Sequence, residues 1–157
     1  MFAFGRRRTS RVSFALLACL LPTFSSCVPL PEPPVNMPDF PEFNADEFET
    51  TSSGLKYRVV REGEGAKPKP TDSVEVHYHG ALPNGREFDS SYRRGETIEF
   101  PLNGVIGGWT EGLQLVGEGG AIQLIIPPEL GYGARGAGSD IPPNATLHFN
   151  VELFKVL

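Results

Sequence analysis

The chain has 157 residues, of which 39% are hydrophobic, so it is long enough to form one domain of ordinary size with a buried core. The formal net charge is −5, and the first 26 residues contain four arginines and no acid, which leaves 14 − 4 = 10 basic residues against 19 acidic ones in the remainder. A body so acidic, without a basic stripe, repels nucleic acid and anionic lipid, which excludes nucleic-acid binding as a function class.

Residues 1–26 are typical of an export signal peptide. Four arginines precede an apolar run of about ten residues, VSFALLACLL, and small residues follow it. This run is too short to span a bilayer, which takes about 20 residues. Cys27 follows Phe-Ser-Ser, which resembles the lipobox of bacterial lipoproteins, so we expect Cys27 to be acylated after cleavage. The alternative is ordinary cleavage nearby, which leaves an unpaired thiol in an oxidising compartment.

Residues 27–50 are predicted to form a tether. The sequence VPLPEPPVNMPDFPEFNADEFE is rich in proline and acid, and dense proline favours an extended chain with no core of its own. The alternative is a docking motif for a partner, because Phe40, Phe43 and Phe48 lie in this segment. We place the start of the globular domain at residue 51.

Residues 51–157 have the pattern of a globular domain dominated by strands. In VEVHYHGAL (74–82), apolar and polar residues alternate, so Tyr78 lies on one face and His77 and His79 on the other, as in a half-buried strand. The pair Asn84-Gly85 predicts a hairpin that leads into REFDSS. The remaining predicted strands are 54–60, 97–102, 121–127 and 146–157.

Residues 109–116 are the only predicted helix, with Trp109, Leu113 and Val116 at spacings of four and three. The segment 128–145 contains four glycines and two adjacent prolines, and a loop of this length in a compact domain is usually functional. The predicted fold class is therefore α+β, with a five- or six-stranded antiparallel sheet wrapped around one short helix.

Motifs for nucleophilic, metal or phosphate chemistry are not evident. The sequence has no GxSxG elbow, no HExxH and no GKS or GKT after a glycine-rich turn. His77 and His79 share a strand face and would suit zinc or copper, but no third ligand is suggested nearby, and two polar residues on a solvent face explain them as well. We expect neither a metal nor a cofactor.

Four motifs in order resemble the FKBP-type peptidyl-prolyl cis–trans isomerases, and the bacterial exported branch is the nearest likeness. The resemblance covers about residues 53–157 and implies an FKBP-like fold and a rotamase activity. The motifs are HYHGALPNGREFDSSYRRG (77–95), GVIGGWTEGLQLVGEGG (104–120), LIIPPELGYGARGAG (124–138) and IPPNATLHFNVEL (141–153).

The resemblance implies a shallow apolar pocket for a proline ring, with Trp109, the only tryptophan, as its floor. Three glycines precede Trp109 within five residues, and we expect them to let the backbone approach the ligand and turn into the helix. The residues that match catalytic positions of the family are Tyr78, Asp89 and Tyr132. Those that match substrate-binding positions are Phe88, Arg94, Phe100, Val105, Ile106, Trp109, Ile141 and Phe149.

Within this match, the backbone N–H of Ile106 is expected to bind a ligand carbonyl, and Asp89 is expected to orient Tyr78 and Arg94. Two positions depart from the family pattern. Ile98 stands where an aromatic residue is common, and Ala137 replaces a bulkier residue of some relatives. These departures bear on substrate preference and macrolide affinity.

The expected function is acceleration of X-Pro isomerisation in exported proteins, without covalent chemistry. The expected partners are X-Pro segments of unfolded or folding proteins, macrolide inhibitors of the family, and a membrane reached through lipid at Cys27, which places the protein in the periplasm as an anchored lipoprotein. Residues 28–50 lack the long dimerising helical region of other relatives, so we expect a monomer. The alternative is a proline-recognising binding or chaperone module whose isomerase activity is incidental.

Overall fold

The computed structural model describes residues 37–157. The predicted signal peptide (1–26) and the predicted acylation of Cys27 concern residues outside this range. Within it, no helix is long and apolar enough to cross a bilayer.

The described part of the chain is an antiparallel sheet of seven strands packed on one short helix, which confirms the predicted α+β class. The strand order is β1-β2-β6-β7-β3-β4, and β5 also pairs with β3. The strands are β1 (Glu49–Thr50), β2 (Lys56–Arg61), β3 (Ser73–Ala81), β4 (Glu87–Ser90), β5 (Ile98–Pro101), β6 (Ala121–Ile126) and β7 (Leu147–Val156), and the helices are α1 (Ser91–Arg94) and α2 (Gly107–Gly112).

Two elements differ from the sequence prediction. The seventh strand is β1, a two-residue edge strand inside the segment predicted as a tether. The second helix is α1, a single turn of four residues that is too short to produce a helical hydrophobic period. Its start is fixed by Ser90, whose side chain accepts a hydrogen bond from the backbone N–H of Arg93.

The core lies between α2 and one face of the sheet, which we call the inner face. On β3, Val74, Val76 and Tyr78 are buried on this face, as the alternation predicted. Strand β3 is paired on both sides, with β7 along one side and with β4 and β5 sharing the other side. This arrangement brings β4, β5 and β7 around the same end of α2.

Helix α2 approaches the sheet closely because it begins with glycine. A Cβ atom added at Gly108 would lie 2.6 Å from Ile126 Cγ2 on β6, which is closer than packed atoms come. The expectation that the glycines before Trp109 serve ligand approach is therefore only partly right. Gly108 faces the sheet and is buried, whereas Gly104 lines a cavity.

Residues 41–50, which we call the strap, pack against the outer face of the sheet, opposite α2. The carbonyl of Pro41 accepts a 2.6 Å hydrogen bond from Gln123 Nε2, and the Phe43 ring stacks on His148 with centroids 4.5 Å apart. The strap ends in β1, which pairs with β2. The structure thus differs from the predicted tether over this stretch, because these residues find partners on the sheet. The predicted boundary at residue 51 falls within a packed region.

Candidate active site

A cavity of about 610 Å³ opens at the end of α2 that faces β4 and β5. Its lining contains every residue predicted for the pocket except Arg94, which lies outside the lining. Ile98, Ala137 and Gly104, one of the glycines before Trp109, also line it. Asp140 lines it too, and sequence reasoning missed it. The lining residues are Tyr78, Phe88, Asp89, Ile98, Phe100, Gly104, Val105, Ile106, Trp109, Tyr132, Ala137, Asp140, Ile141 and Phe149.

Trp109 forms the floor of the cavity. It lies in the first turn of α2, and only 4% of its surface is accessible, because other aromatic rings surround it. Tyr78 and Phe149 meet it edge to face, with centroids 5.2 Å away, and Phe100 is tilted at 5.1 Å. Such pairs each contribute about 0.5–1.5 kcal/mol beyond the area they bury, so the rings hold one another in place. The predicted floor position therefore coincides with a rigid aromatic cluster.

The wall formed by Phe88 and Phe149 depends on a glycine in β3. The two rings meet edge to face at 5.4 Å above Gly80. A Cβ atom at Gly80 would lie 2.6 Å from Phe88 Cε2 and 2.7 Å from Phe149 Cε1. Sequence reasoning did not single out Gly80, because a glycine near the end of a strand is also common at bulges and bends.

At one edge of the cavity, Tyr78 and Asp89 of the lining form a hydrogen-bonded triad with Arg94, which lies outside the lining. The Tyr78 hydroxyl donates to Asp89, the Arg94 guanidinium donates to the same carboxylate, and it also donates to the Tyr78 oxygen over 2.9 Å. The structure therefore places Arg94 in contact with Asp89 and outside the cavity lining. The triad ties β3, β4 and α1 together at one edge of the pocket.

The triad fixes the charges of its members around neutral pH. Burial, and then the hydrogen bond to Asp89, raises the pKa of Tyr78 to about 12. Burial alone would raise the pKa of Asp89, but the hydrogen bonds from Tyr78 and Arg94 and the positive charge of Arg94 lower it below its usual value. Near pH 7 Tyr78 is thus a neutral phenol and Asp89 a carboxylate, so neither has a pKa suited to proton transfer.

Two groups at the mouth of the cavity are free to bind a ligand. Tyr132 is 41% exposed, and its hydroxyl bonds to no other residue of the described range. Ile106 caps the start of α2; its carbonyl accepts from Trp109 and Thr110, while its own N–H has no partner between residues 37 and 157. A hydroxyl and an N–H beside an apolar floor suit a ligand that combines an apolar ring with carbonyl oxygens.

A third part of the mouth is the rim loop, residues 127–146. It carries Tyr132, Ala137, Asp140 and Ile141 of the lining. Ile141 anchors it, since only 7% of its surface is exposed. The prediction that this long segment is functional matches its position over the cavity.

The two strand histidines have partners that explain them without a metal. His77 Nδ1 is 2.8 Å from Ser91 Oγ, and its ring stacks on Tyr92. His79 Nε2 is 3.2 Å from a carboxylate oxygen of Glu87. Burial lowers the pKa of His77, which favours its neutral form. Between residues 37 and 157, no group of three or more potential ligands is arranged to hold a metal ion.

A sheet wrapped around one helix, with an aromatic pocket at the end of that helix, defines a small α+β domain with an apolar ligand site. Residues 64–154 match the family described as FKBP-type peptidyl-prolyl cis-trans isomerase, and the chain belongs to that family. A probable FKBP-type peptidyl-prolyl cis-trans isomerase of Haemophilus influenzae is 58% identical over 110 residues, which are 70% of this chain and 46% of that protein. The FKBP-type 22 kDa peptidyl-prolyl cis-trans isomerase of Escherichia coli is 56% identical over 108 residues, 69% of this chain and 52% of that protein.

Solved structures agree with the sequence comparison. The crystal structure of FkpA from Escherichia coli matches with a TM-score of 0.68 and 55% identity, over 70% of this chain and 51% of that one. AtFKBP13 matches with a TM-score of 0.65 and 36% identity, over 71% of this chain and 99% of that one. The chain spans about half the length of the curated relatives it matches.

Proposed function

We propose that this chain is a peptidyl-prolyl cis–trans isomerase that accelerates rotation about X-Pro bonds by binding the proline ring in the aromatic pocket. The observation that carries the proposal is the cavity with Trp109 as its floor and aromatic rings as its walls. At its rim lie the Ile106 N–H and the Tyr132 hydroxyl, neither of which has a partner between residues 37 and 157. Family membership supports the same reaction.

The reaction needs no nucleophile, because no bond is broken. Rotation about a peptide bond meets a barrier of about 18–20 kcal/mol, since the planar amide is stabilised by resonance. The planar form has more charge separation than the twisted form, so water favours it, and an apolar pocket withdraws that preference. Each tenfold of acceleration needs about 1.4 kcal/mol of stabilisation that is selective for the twisted form.

The pocket offers two ways to favour the twisted amide. Its rings exclude water from the proline, and the Ile106 N–H and the Tyr132 hydroxyl can donate to carbonyl oxygens that flank the rotating bond. Tyr78 and Asp89 act through orientation, because their hydrogen bonds with Arg94 keep the wall in one geometry. With these roles, rotation about the X-Pro bond needs no acid–base catalysis.

The experiment that tests the proposal is exchange NMR on an X-Pro peptide, with the protein present and absent, and with a macrolide ligand of the family added. Acceleration that the macrolide abolishes would support both the pocket and the reaction. Binding of the peptide without acceleration would instead favour the proline-recognising module. A folded protein that neither binds nor accelerates would overturn the proposal, and Ile98, 37% exposed on the wall, would be the first position to substitute.

We further propose that the substrates are X-Pro segments of exported proteins and that the protein is a periplasmic, membrane-anchored lipoprotein that acts as a monomer. The support is the sequence of residues 1–27, with its apolar run and the Phe-Ser-Ser-Cys motif. Labelling cells with a fatty-acid analogue should mark the wild-type protein and leave Cys27→Ser unmarked. Equal labelling of both would contradict the anchor, and sedimentation of the detergent-free domain would test the monomer.

A further inference from the structure

The rim loop is built almost entirely from bonds within itself. Ala137 and Ile141 exchange two backbone hydrogen bonds, of 2.9 and 3.1 Å, which close a small hairpin at its tip. The N–H of Asn144 donates to the carbonyl of Gly133 over 2.8 Å, which closes the base. The buried side chain of Ile141 anchors the loop, and a loop that otherwise bonds to itself depends on hydrogen bonds from outside for the exact position of its tip.

One hydrogen bond from outside reaches the rim loop within the described range. Arg86 Nη2 donates to the backbone carbonyl of Asp140, at the tip, over 2.6 Å. Arg86 leaves the β3–β4 hairpin, where its N–H donates to Asn84 Oδ1 and its carbonyl accepts from the N–H of Leu82. The donor therefore stands on a fixed backbone.

This bond joins two sides of the pocket mouth. Two and three residues after Arg86, β4 presents Phe88 and Asp89 to the cavity, and the loop tip presents Asp140 and Ile141 from the opposite side. A guanidinium that donates to a carbonyl makes a charge-assisted hydrogen bond, which is stronger than a neutral one.

We infer that Arg86 is a positioning residue, which holds the tip of the rim loop towards β4 and so sets the width of the pocket mouth. Its guanidinium acts on the loop and not on the substrate, since Arg86 is not part of the cavity lining. The catalytic consequence rests on the proposed isomerase function. The structural consequence does not, because the hydrogen bond joins two parts of the chain itself.

The nature of the acceptor gives a matched set of variants of the full-length protein. The acceptor is the main-chain oxygen of Asp140, so Asp140→Asn should keep the bond, whereas Arg86→Gln should lose it. Arg86→Lys keeps a cationic donor and should restore part of the effect. Arg93→Gln is the control, because Arg93 is another exposed arginine of the same region, and it pairs with Glu87 outside the pocket.

The first measurement is amide hydrogen exchange at Ala137 and Ile141 without substrate. We expect exchange about threefold to tenfold faster in Arg86→Gln, as loss of one hydrogen bond implies. Asp140→Asn and Arg93→Gln should resemble wild type, and Arg86→Lys should lie between. Unchanged exchange in Arg86→Gln would overturn the inference.

The second measurement is steady-state isomerisation. We expect KM to rise about twofold to fivefold in Arg86→Gln, with a smaller change in kcat, since a wider mouth weakens binding before it affects rotation. A KM change with wild-type exchange would mean that Arg86 contacts the substrate, and the inference would be wrong. Faster loop exchange in a protein that has no isomerase activity at all would reject the proposed function and leave the inference standing.

Discussion

The two faces of the sheet are built from the same strands and have different roles. Successive side chains of a strand point to opposite faces, so Phe149 on β7 lies in the aromatic pocket while its neighbour Asn150 is buried on the outer face. Asn150 Oδ1 accepts a 2.9 Å hydrogen bond from Gln123 Nε2 on β6. Two adjacent residues of one strand thus contribute to an open apolar site and to a closed polar contact.

The outer face is a network of buried polar groups that bond to one another. Glu152 accepts from Arg61 over 2.8 Å and from the Tyr92 hydroxyl over 2.7 Å, and Gln123, with no accessible surface, is bonded to both Asn150 and the strap. The inner face has one such group, the triad of Tyr78, Asp89 and Arg94, at the edge of the pocket. The rest of the pocket is aromatic rings that meet edge to face and leave a cavity, with the Ile106 N–H and the Tyr132 hydroxyl at its mouth.

The difference shows where this fold places its polar groups. Most polar groups of the outer face bond to one another, although Gln123 Oε1 is buried without a partner in the described range. Groups paired in this way contribute to stability and have little capacity left for a ligand. Rings that do not fill the space between them give up some packing and retain a site. We therefore expect substitutions on the inner face to affect activity and stability together, and those on the outer face to affect stability alone.

The largest expected effect is that of Trp109→Ala, on the inner face. Removal of a buried indole costs about 3–5 kcal/mol in the free energy of unfolding, because a cavity replaces it. Urea denaturation measures this loss, and exchange NMR measures the accompanying loss of isomerase activity. Trp109→Phe is the matched variant, which should keep part of both. An alanine variant that unfolds with wild-type stability would contradict the role of Trp109 as a packed floor.

The second effect is that of Glu152→Ala, on the outer face. It leaves the buried Tyr92 hydroxyl without an acceptor, which costs about 1–3 kcal/mol in the free energy of unfolding. Glu152→Gln keeps an oxygen acceptor and should cost less. Isomerase activity per folded molecule should stay at the wild-type value in both. A tenfold loss of kcat/KM in Glu152→Ala would contradict the expectation that substitutions on the outer face affect stability alone.

The third effect is smaller and concerns the strap. Phe43→Ala removes the ring that stacks on His148 and should lower the free energy of unfolding by about 1 kcal/mol, without loss of isomerase activity. The effect depends on pH. Burial lowers the pKa of His148 below its ordinary 6.5, so the unfolded chain binds the proton first as the pH falls. The contribution of His148 to stability is present above pH 6.5 and declines below it.

Measurement of stability between pH 8 and 5 tests this sign. Phe43→Ala exposes the imidazole, so its pKa should rise towards the ordinary value, and the decline of stability with acid should become shallower than in wild type. His148→Gln, which cannot titrate, is the control and should show the shallow slope with Phe43 still present. A slope that is the same in all three proteins would show that the strap does not bury His148 in solution.

The faces also differ in how far the sequence predicts them. The alternation around Tyr78 predicts the strand and its inner face, because one side of the strand is apolar and the other is polar. The pocket is predicted through the resemblance of whole motifs. Periodicity alone cannot tell an aromatic residue in a pocket from one in a core.

The sequence does not predict the contacts between distant segments of the chain. Dense proline indicates an extended chain, and the three phenylalanines of the segment only left a docking role open. The contacts of the strap with Gln123 and His148 therefore have no other local signal in the sequence. The bond from Arg86 reaches a backbone carbonyl, which every residue possesses, so no residue type indicates it. Helix α1, at one turn, is shorter than any period it could display.

The smallest expected effect is that of Asp89→Asn, which tests whether Asp89 orients the wall of the pocket or transfers a proton. Asp89 accepts a hydrogen bond from Tyr78 through Oδ2 and one from Arg94 through Oδ1. An amide in its place has one carbonyl oxygen, so it keeps one of these two bonds and weakens the other. If Asp89 orients the wall, kcat/KM should fall by only about twofold to fivefold, the scale of one weakened hydrogen bond. Exchange NMR of an X-Pro peptide measures it, and Asp39→Asn, at an exposed aspartate outside the pocket lining, is the matched control.

The pH profile supplies the second arm of this test. Because the pKa of Asp89 is lowered and that of Tyr78 is raised to about 12, neither group changes charge between about pH 5 and 9, so wild-type kcat/KM should be flat over that window. A group with a lowered acidic pKa keeps its contribution above its unfolded value of 3.8 and loses it only in stronger acid. A bell-shaped profile centred near neutrality, or complete loss of activity in Asp89→Asn, would mean that proton transfer takes part in the reaction. A flat profile with a modest loss would leave desolvation and selective hydrogen bonding as the sources of the rate.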